Sequence, residues 1–393
     1  MKSKKWNLIL TSLTALTLLA ACGQSTTKSS TTAAADTTAI TTSTKTNQTS
    51  YFTEKDYDTS YDESTTSKIE LSGSTVTITK SGTYVISGQS DGVQIKVEAD
   101  KSADVHLVLK GATMTNTNAA ISATSAGHVY LTLAEGTTNS LSDSSSNSDD
   151  RANAALFSKV DLTINGSGTL NVAGKKNNGI KANDTLHITG GTYNITAVGD
   201  AFNVNDELNI TGTTMTIDAK EDGVKVDNDD DMTVGNMYLA NNTITVTAGD
   251  DGIHASGNLV IDSGTYTVKN FTEGIEGKGI TINGGDINVY STDDGINAAN
   301  KNAQQSDIYF TMTGGNLTVE VGQGDTDPID SNGNITVTGG TIKMIGQTGF
   351  DFDGTATYTG GDIYLNGEKQ TEIVNSMPGG GGPQGNGGPG GQG

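Results

Sequence analysis

The sequence predicts an all-β fold, a parallel β-helix with three short strands per coil and about 22 residues per coil. Three observations carry this. An acidic corner recurs along the chain as NNGIKA at 177–182, GDAFNV at 199–204, EDGVKV at 221–226, DDGIHA at 250–255, TEGIEG at 272–277, DDGINA at 293–298 and TDPIDS at 326–331. Between corners, apolar residues come in pairs spaced i, i+2, so both members of a pair face one side of a short strand. The composition suits strands and turns: 51 glycines, four prolines, 5% aromatics and a 33% apolar fraction. Thr favours strands, and Gly, Asn and Asp favour turns. A repeat of this period marks a solenoid.

Residues 1–22, MKSKKWNLILTSLTALTLLAAC, read as a lipoprotein signal peptide. Lys2, Lys4 and Lys5 precede an apolar run from Leu8 to Leu19, which is too short for a stable membrane span. The run ends in Leu19-Ala20-Ala21-Cys22, which resembles a bacterial lipobox. Cys22 is the only cysteine, so no disulfide forms within the chain, and it is the expected lipidation site. The expected location is outside the cell, lipid-anchored to the outer face of the bacterial cytoplasmic membrane at the cell surface. Residues 23–66 read as a disordered Ser/Thr-rich tether.

The β-helix is expected over 67–375. STVTITKSGTYVISG, DVHLVLKGATM and HVYLTLAEGTTNSLSD form its first, looser coils. From there the apolar pairs fall into three columns. The first column includes Ile180/Ala182, Val224/Val226 and Ile253/Ala255. The second includes Leu186/Ile188, Leu259/Ile261 and Phe310/Met312. The third includes Tyr193/Ile195, Tyr266/Val268 and Leu317/Val319. Gly-Gly pairs such as 284–285, 314–315 and 339–340 separate the second and third columns, where a repeated corner needs positive φ. NDDDM at 228–232 lies in an insertion and reads as a solvated loop. The Gly-rich end, 376–393, has no core residue and reads as a disordered tail.

The net charge is −22, and removing the leader's lysines makes it more negative. That argues against nucleic acid and anionic lipid surfaces as partners. The acids are ordered along the repeat. In a parallel coil, equivalent corner residues stack about 5 Å apart, where like charges repel by on the order of 1 kcal/mol per pair even in water-like dielectric. Ca²⁺ is the natural offset, because it accepts 6–8 oxygens in flexible geometry. The candidate metal ligands are Asp222, Asp250, Asp251, Glu273, Asp293, Asp294 and Asp327. A single Asp per corner also suits an ordinary turn cap.

The middle residue of each first-column strand points outward. Down the stack these read Lys181, Asn203, Lys225, His254, Glu276, Asn297 and Asp330. This long polar row has the shape of a groove for an extended polymer, and its members are the candidate ligand-binding residues. No nucleophile–base pair is visible, so no catalytic residue is assigned. Lys225 is the candidate base should the protein be a lyase, although acidic surroundings raise a lysine's pKa. Arg151, the only arginine, is expected outside this row. The only tryptophan, Trp6, lies in the leader, and Tyr193 and Tyr266 read as core, so sugar stacking on aromatic rings is not expected.

GTYVISG at 82–88, HVYLTLAEGTTNSLSD at 128–143, the DDGI and Gly-Gly repeats and the MPGG run from 377 together resemble the bacterial carbohydrate-binding domain-containing proteins. These are exported β-helices similar in shape to pectate lyases. The resemblance implies right-handed winding, in keeping with the general rule for parallel crossovers. It also implies binding of an acidic or plant-type polysaccharide, such as polygalacturonate or cellulose, with Ca²⁺ at the acidic corners. The expected protein is a monomeric surface lipoprotein that binds polysaccharide. A calcium-dependent polysaccharide lyase and a non-catalytic adhesin or spacer binding a protein partner are the alternatives.

Overall fold

The computed structural model describes residues 51–376, apart from positions 229 and 325. The signal peptide with Cys22, tether residues 23–50 and residues 377–393 of the tail lie outside the described residues. All described residues fall within one compact unit. They form 34 strands and two short 3₁₀ helices, and among them no helix is long and apolar enough to cross a membrane.

The strands join one sheet, and its pairings are parallel until the last hairpin, where Asp362–Leu365 meets Glu368–Gln370 antiparallel. Through the middle of the chain each strand pairs with strands about one repeat away. Asn178–Ala182 lies between Ala154–Ser158 and Phe202–Val204, in register. Leu186–Thr189 lies between Leu162–Gly166 and Glu207–Thr211. Thr192–Ala197 lies between Thr169–Gly174 and Thr214–Ala219. Ile253–Ile261 and Ile275–Ile282 each run through two of the apolar pairs without a break, with one register shift between them. The N-terminal strands Gly82–Asp91 and Asp104–Thr115 are likewise long and shifted in register, so the first coils are the irregular ones.

The interior is built from the i, i+2 pairs. In the third column Tyr193, Met215, Ile244, Tyr266, Ile287, Leu317 and Ile342 are register partners in sequence, all essentially sealed from solvent. Each such side chain contributes about 1.5–3 kcal/mol by burial. The two tyrosines of this column avoid unpaired hydroxyls by reaching their own turn: Tyr193 donates to Gly190 O at 2.9 Å and Tyr266 to Ser263 O at 2.8 Å.

Two glycines show why the repeat keeps that residue. Gly315 has φ +81°, and a Cβ there would meet Gly285 O at 2.7 Å in the coil below. Gly252, in the acidic corner, has no unusual φ. A Cβ there would meet Gly274 O at 2.6 Å and press into the Val268 side chain. One glycine is set by conformation and the other by close approach.

The stretch 51–66, expected to be tether, is instead packed on the outside of the coils. Phe52 is buried, and Tyr51 stacks on Tyr238 with ring centroids 3.8 Å apart. Glu54–Tyr57 forms a 3₁₀ turn that delivers Asp56 onto the outer face of the second column. Asp56 is 2% exposed. Its carboxylate accepts from Thr163 Oγ1 at 2.6 Å and from Thr53 N at 2.7 Å, and it lies 3.2 Å from His187 Nδ1. Its carbonyl accepts from Thr189 and Asn165. Lys55 and Glu63 add ion pairs to Asp104 and Lys110. A Ser/Thr/Tyr/Asp composition looked like linker, but its few apolar and acidic side chains find matching partners on a preformed face. Ser376, expected in the tail, also packs, with its N–H donating to Phe350 O at 2.7 Å.

Candidate functional site

The outward row of the first column is in register throughout. Lys181 pairs with Asn203, Asn203 with Lys225, Lys225 with His254, His254 with Glu276, Glu276 with Asn297 and Asn297 with Asp330. Asp351 follows Asp330, and Phe157 precedes Lys181. All seven candidate ligand-binding residues therefore lie on one line. Charge is graded along it, with cations at the N-terminal end and carboxylates at the C-terminal end.

The corner aspartates beside this row are largely engaged by the fold. Asp200, Asp222, Asp251 and Asp294 each accept the backbone N–H of the equivalent residue one coil on. Asp200 Oδ1 accepts from Asp222 N at 3.0 Å, Asp222 Oδ1 from Asp251 N at 2.9 Å and Asp294 Oδ1 from Asp327 N at 2.8 Å. Asn178 does the same for Asp200 N. The second oxygen faces the outward residue three positions later. Asn203 Nδ2 donates to Asp200 at 2.7 Å, Lys225 Nζ to Asp222 at 2.7 Å, and His254 Nδ1 lies 3.2 Å from Asp251 and 2.9 Å from Glu276. The expected carboxylate repulsion is thus offset, in the N-terminal half, by amide dipoles and by the chain's own cations.

Titration behaviour follows from this geometry. Burial alone would lower the Lys225 pKa, but the Asp222 carboxylate outweighs it and holds the ammonium well above the usual lysine range. A raised pKa weighs against Lys225 as a general base. Burial would also lower His254, yet Asp251 and Glu276 push it up to about 10, so it stays an imidazolium at neutral pH. Lys181 is different: burial pulls its pKa down, only partly countered by Asp200 and Asp149.

In the C-terminal half Glu273, Asp294 and Asp330 are shifted by burial and by neighbouring carboxyls. Burial first, then the neighbouring carboxyl of Asp251, raises Glu273 to about 7. Burial and Asp293 raise Asp294 to about 6, and burial with Asp294 and Asp351 raises Asp330 to about 7. Of the seven candidate metal ligands, Asp222, Asp250 and Asp251 bring carboxylate oxygens within 4.8 Å of one another. A second such group combines Asp251 with His254 and Glu276. Glu273, Asp293, Asp294 and Asp327 interact electrostatically one coil further on. This last set is all oxygen, the donor chemistry that suits Ca²⁺, but among the described residues no three of its members bring ligand oxygens within 4.8 Å of one another.

Sequence reasoning missed two features. Phe271 and Tyr290 are 68% and 42% exposed beside the acid-rich corner, so the surface does offer aromatic faces. Phe271 stands outside the i, i+2 pairs, which was the available signal. Second, Arg151 is off the row, as expected, but its loop folds over the row's N-terminal end. Arg151, Lys159, Lys181 and Asn203 consequently line one cavity of about 610 Å³.

A family model described as "Carbohydrate-binding domain-containing protein" matches residues 72–325 and 250–373. A curated relative of that description from Acetivibrio thermocellus is 38% identical over 135 residues, which are 33% of this chain and 47% of the relative. The match thus spans about half the length of that relative. A solved structure of a polysaccharide lyase-like protein from C. thermocellum, a gadolinium derivative, aligns with 75% of this chain and 98% of its own at 24% identity, with a TM-score of 0.35.

Proposed function

The chain belongs to the carbohydrate-binding domain-containing protein family, and from that premise we propose that it binds an extended polysaccharide along the outward first-column row, with Ca²⁺ assisting at the acidic end. The single observation that supports this most is the unbroken register from Lys181 to Asp330, which presents seven polar side chains at the strand repeat of about 4.8 Å. Such a row suits repeated hydrogen bonding to a linear polymer better than capture of a compact ligand.

Glu273, Asp293, Asp294 and Asp327 are the residues proposed to hold the ion. Bound there, it would neutralise carboxylates that otherwise resist ionising together, and it would accept oxygens of an acidic glycan. Polygalacturonate and cellulose are the glycans proposed. Right-handed winding with three strands per coil, a lipid on Cys22 and display at the cell surface complete the reading. Weak individual contacts would then sum through many sites on one polymer and many copies on one cell.

Affinity chromatography tests it. Retention on immobilised polygalacturonate in Ca²⁺ is expected to be lost in EDTA, and a Glu273→Gln, Asp294→Asn double variant should elute early in both. Retention unchanged by EDTA would remove the calcium bridge. Passage through both polygalacturonate and cellulose columns would remove the glycan reading.

A further inference from the structure

The cavity at the N-terminal end of the row is built by a segment the repeat does not require. Residues 144–153 leave the coil after Thr138–Ser142 and return at Ala154–Ser158. Buried side chains fix this excursion. Asn147, 2% exposed, donates to Asp143 Oδ2 at 3.2 Å and to Ala152 O at 3.1 Å. Asp143, fully buried, accepts Lys175 N at 2.6 Å. Ala152 packs into an apolar cluster with Ala119 and Phe157. The loop is therefore a pinned wall beside the outward row, and a pinned wall spares the ordering cost of closing on a ligand.

Three cations and two acids line the cavity beside this wall. The chain has 45 acids against 23 Lys and Arg. Its single arginine nevertheless lines the same cavity as Lys159 and Lys181. The Arg151 side chain is 92% exposed, its Nε 3.8 Å from Asp149 Oδ1, so its guanidinium fork remains presented to solvent. The acids that share the lining are Asp149 and Asp150. Asp149 spends its Oδ1 on the loop's own N–H groups, at Arg151 N (3.2 Å) and Ala152 N (3.4 Å), and Asp150 is exposed. Lys181 is half-buried, held by Asn153 Oδ1 at 3.2 Å. Partly stripped of water, its ammonium gains from an incoming anion. Asn183, Asn203 and Asn205 add amides that both donate and accept, as sugar hydroxyls require. The volume lies within the usual range for small-ligand sites.

Resting on the polysaccharide reading above, we propose that this cavity is a subsite for one uronic acid unit, its carboxylate taken by Arg151 and Lys181 and its hydroxyls by the asparagine amides. A planar carboxylate matches the arginine fork in two parallel hydrogen bonds. The subsite works without a metal ion. It also gives the row a polarity, since the other end of the row is acidic: an acidic chain would be gripped directly at the Lys181 end and through Ca²⁺ at the Asp330 end.

The test is calorimetric titration of the whole protein, in EDTA, with trigalacturonate and with its fully methyl-esterified form. The ester keeps every hydroxyl and replaces each carboxylate with a neutral methyl ester. The acid is expected to bind at least about tenfold more tightly than the ester. Arg151→Gln and Lys181→Gln should each erase about tenfold of that preference. Arg151 is exposed, so its variant should keep the native melting temperature. Equal affinity for acid and ester, no binding of the acid by the native protein, or full acid preference in Arg151→Gln would each overturn the subsite. In those cases polygalacturonate retention that needs Ca²⁺ and Glu273 would still leave the groove reading intact. Conversely, acid preference that survives EDTA and falls in Arg151→Gln would establish the subsite even with the calcium bridge absent.

Discussion

Asp330 shows how one residue carries the tension of the acidic end. It faces Asn297 on one side and Asp351 on the other, with Asp294 and Asp327 at the adjoining corner. Burial and these neighbours raise it to about 7, above its unfolded value near 4. The folded protein therefore holds a proton that the unfolded chain releases, and stability falls as pH rises from about 4 to 7. Above 7 the full cost is present. Asp330→Asn is expected to raise the melting temperature by at least about 2 °C at pH 8. The gain should vanish near pH 4, as read by thermal denaturation at both values. An equal gain at both would show that charge is not the cause.

At the scale of elements, residues 51–66 act as a strap rather than a linker. Three of the four histidines, His106, His128 and His187, lie on the second-column face near it. His106 and His128 are bonded to Thr132 and Thr163. Asp56 ties the strap to Thr163 and His187. Burial would raise its pKa, yet the nearby His187 and the Thr163 and Thr53 hydrogen bonds outweigh this and hold it far below the usual carboxylate range. A depressed carboxylate stabilises above its unfolded pKa and loses that contribution as pH falls. Asp56→Ala is expected to cost roughly 2–4 kcal/mol at pH 7, because it orphans buried partners. Urea denaturation should show the gap from the native protein shrinking between pH 5 and pH 2. A gap independent of pH would assign the cost to packing alone.

Across the whole molecule, parallel stacking turns sequence periodicity into two long lines, an inward apolar one and an outward polar one. Because the lines are continuous, an ion bound between adjacent coils stiffens the stack as well as the local corner. Ca²⁺ at a hundred times its dissociation constant would stabilise the fold by about 2.7 kcal/mol. Its ligands must shed protons first. Glu273 titrates at about 7 and Asp294 at about 6, so the rise in melting temperature on adding Ca²⁺ should be clear at pH 7.5 and much smaller at pH 5. Scanning fluorimetry at both pH values checks this; no rise at pH 7.5 would exclude an ion in that position.

How much of this was legible in the sequence depends on whether a feature repeats. The i, i+2 pairs and the recurring corner marked the strands, the core and the outward row from Lys181 to Asp330, because a period-two pattern fixes which face each side chain takes and a constant repeat length fixes what lies above it. Features that occur once had no such signal. The strap at 51–66, the loop carrying Arg151 and the exposed Phe271 depend on which surface lies beside them, and only the folded coil supplies that surface. The state of the acids also waited for the structure: Asp222 and Asp251 look alike in the sequence to Asp294, yet Lys225 and His254 stand beside the first two, while Asp294 faces other carboxylates. Sequence order fixes the spacing of charges along the chain, but electrostatic energy depends on distances across coils and on burial, and both are set only when the chain is wound.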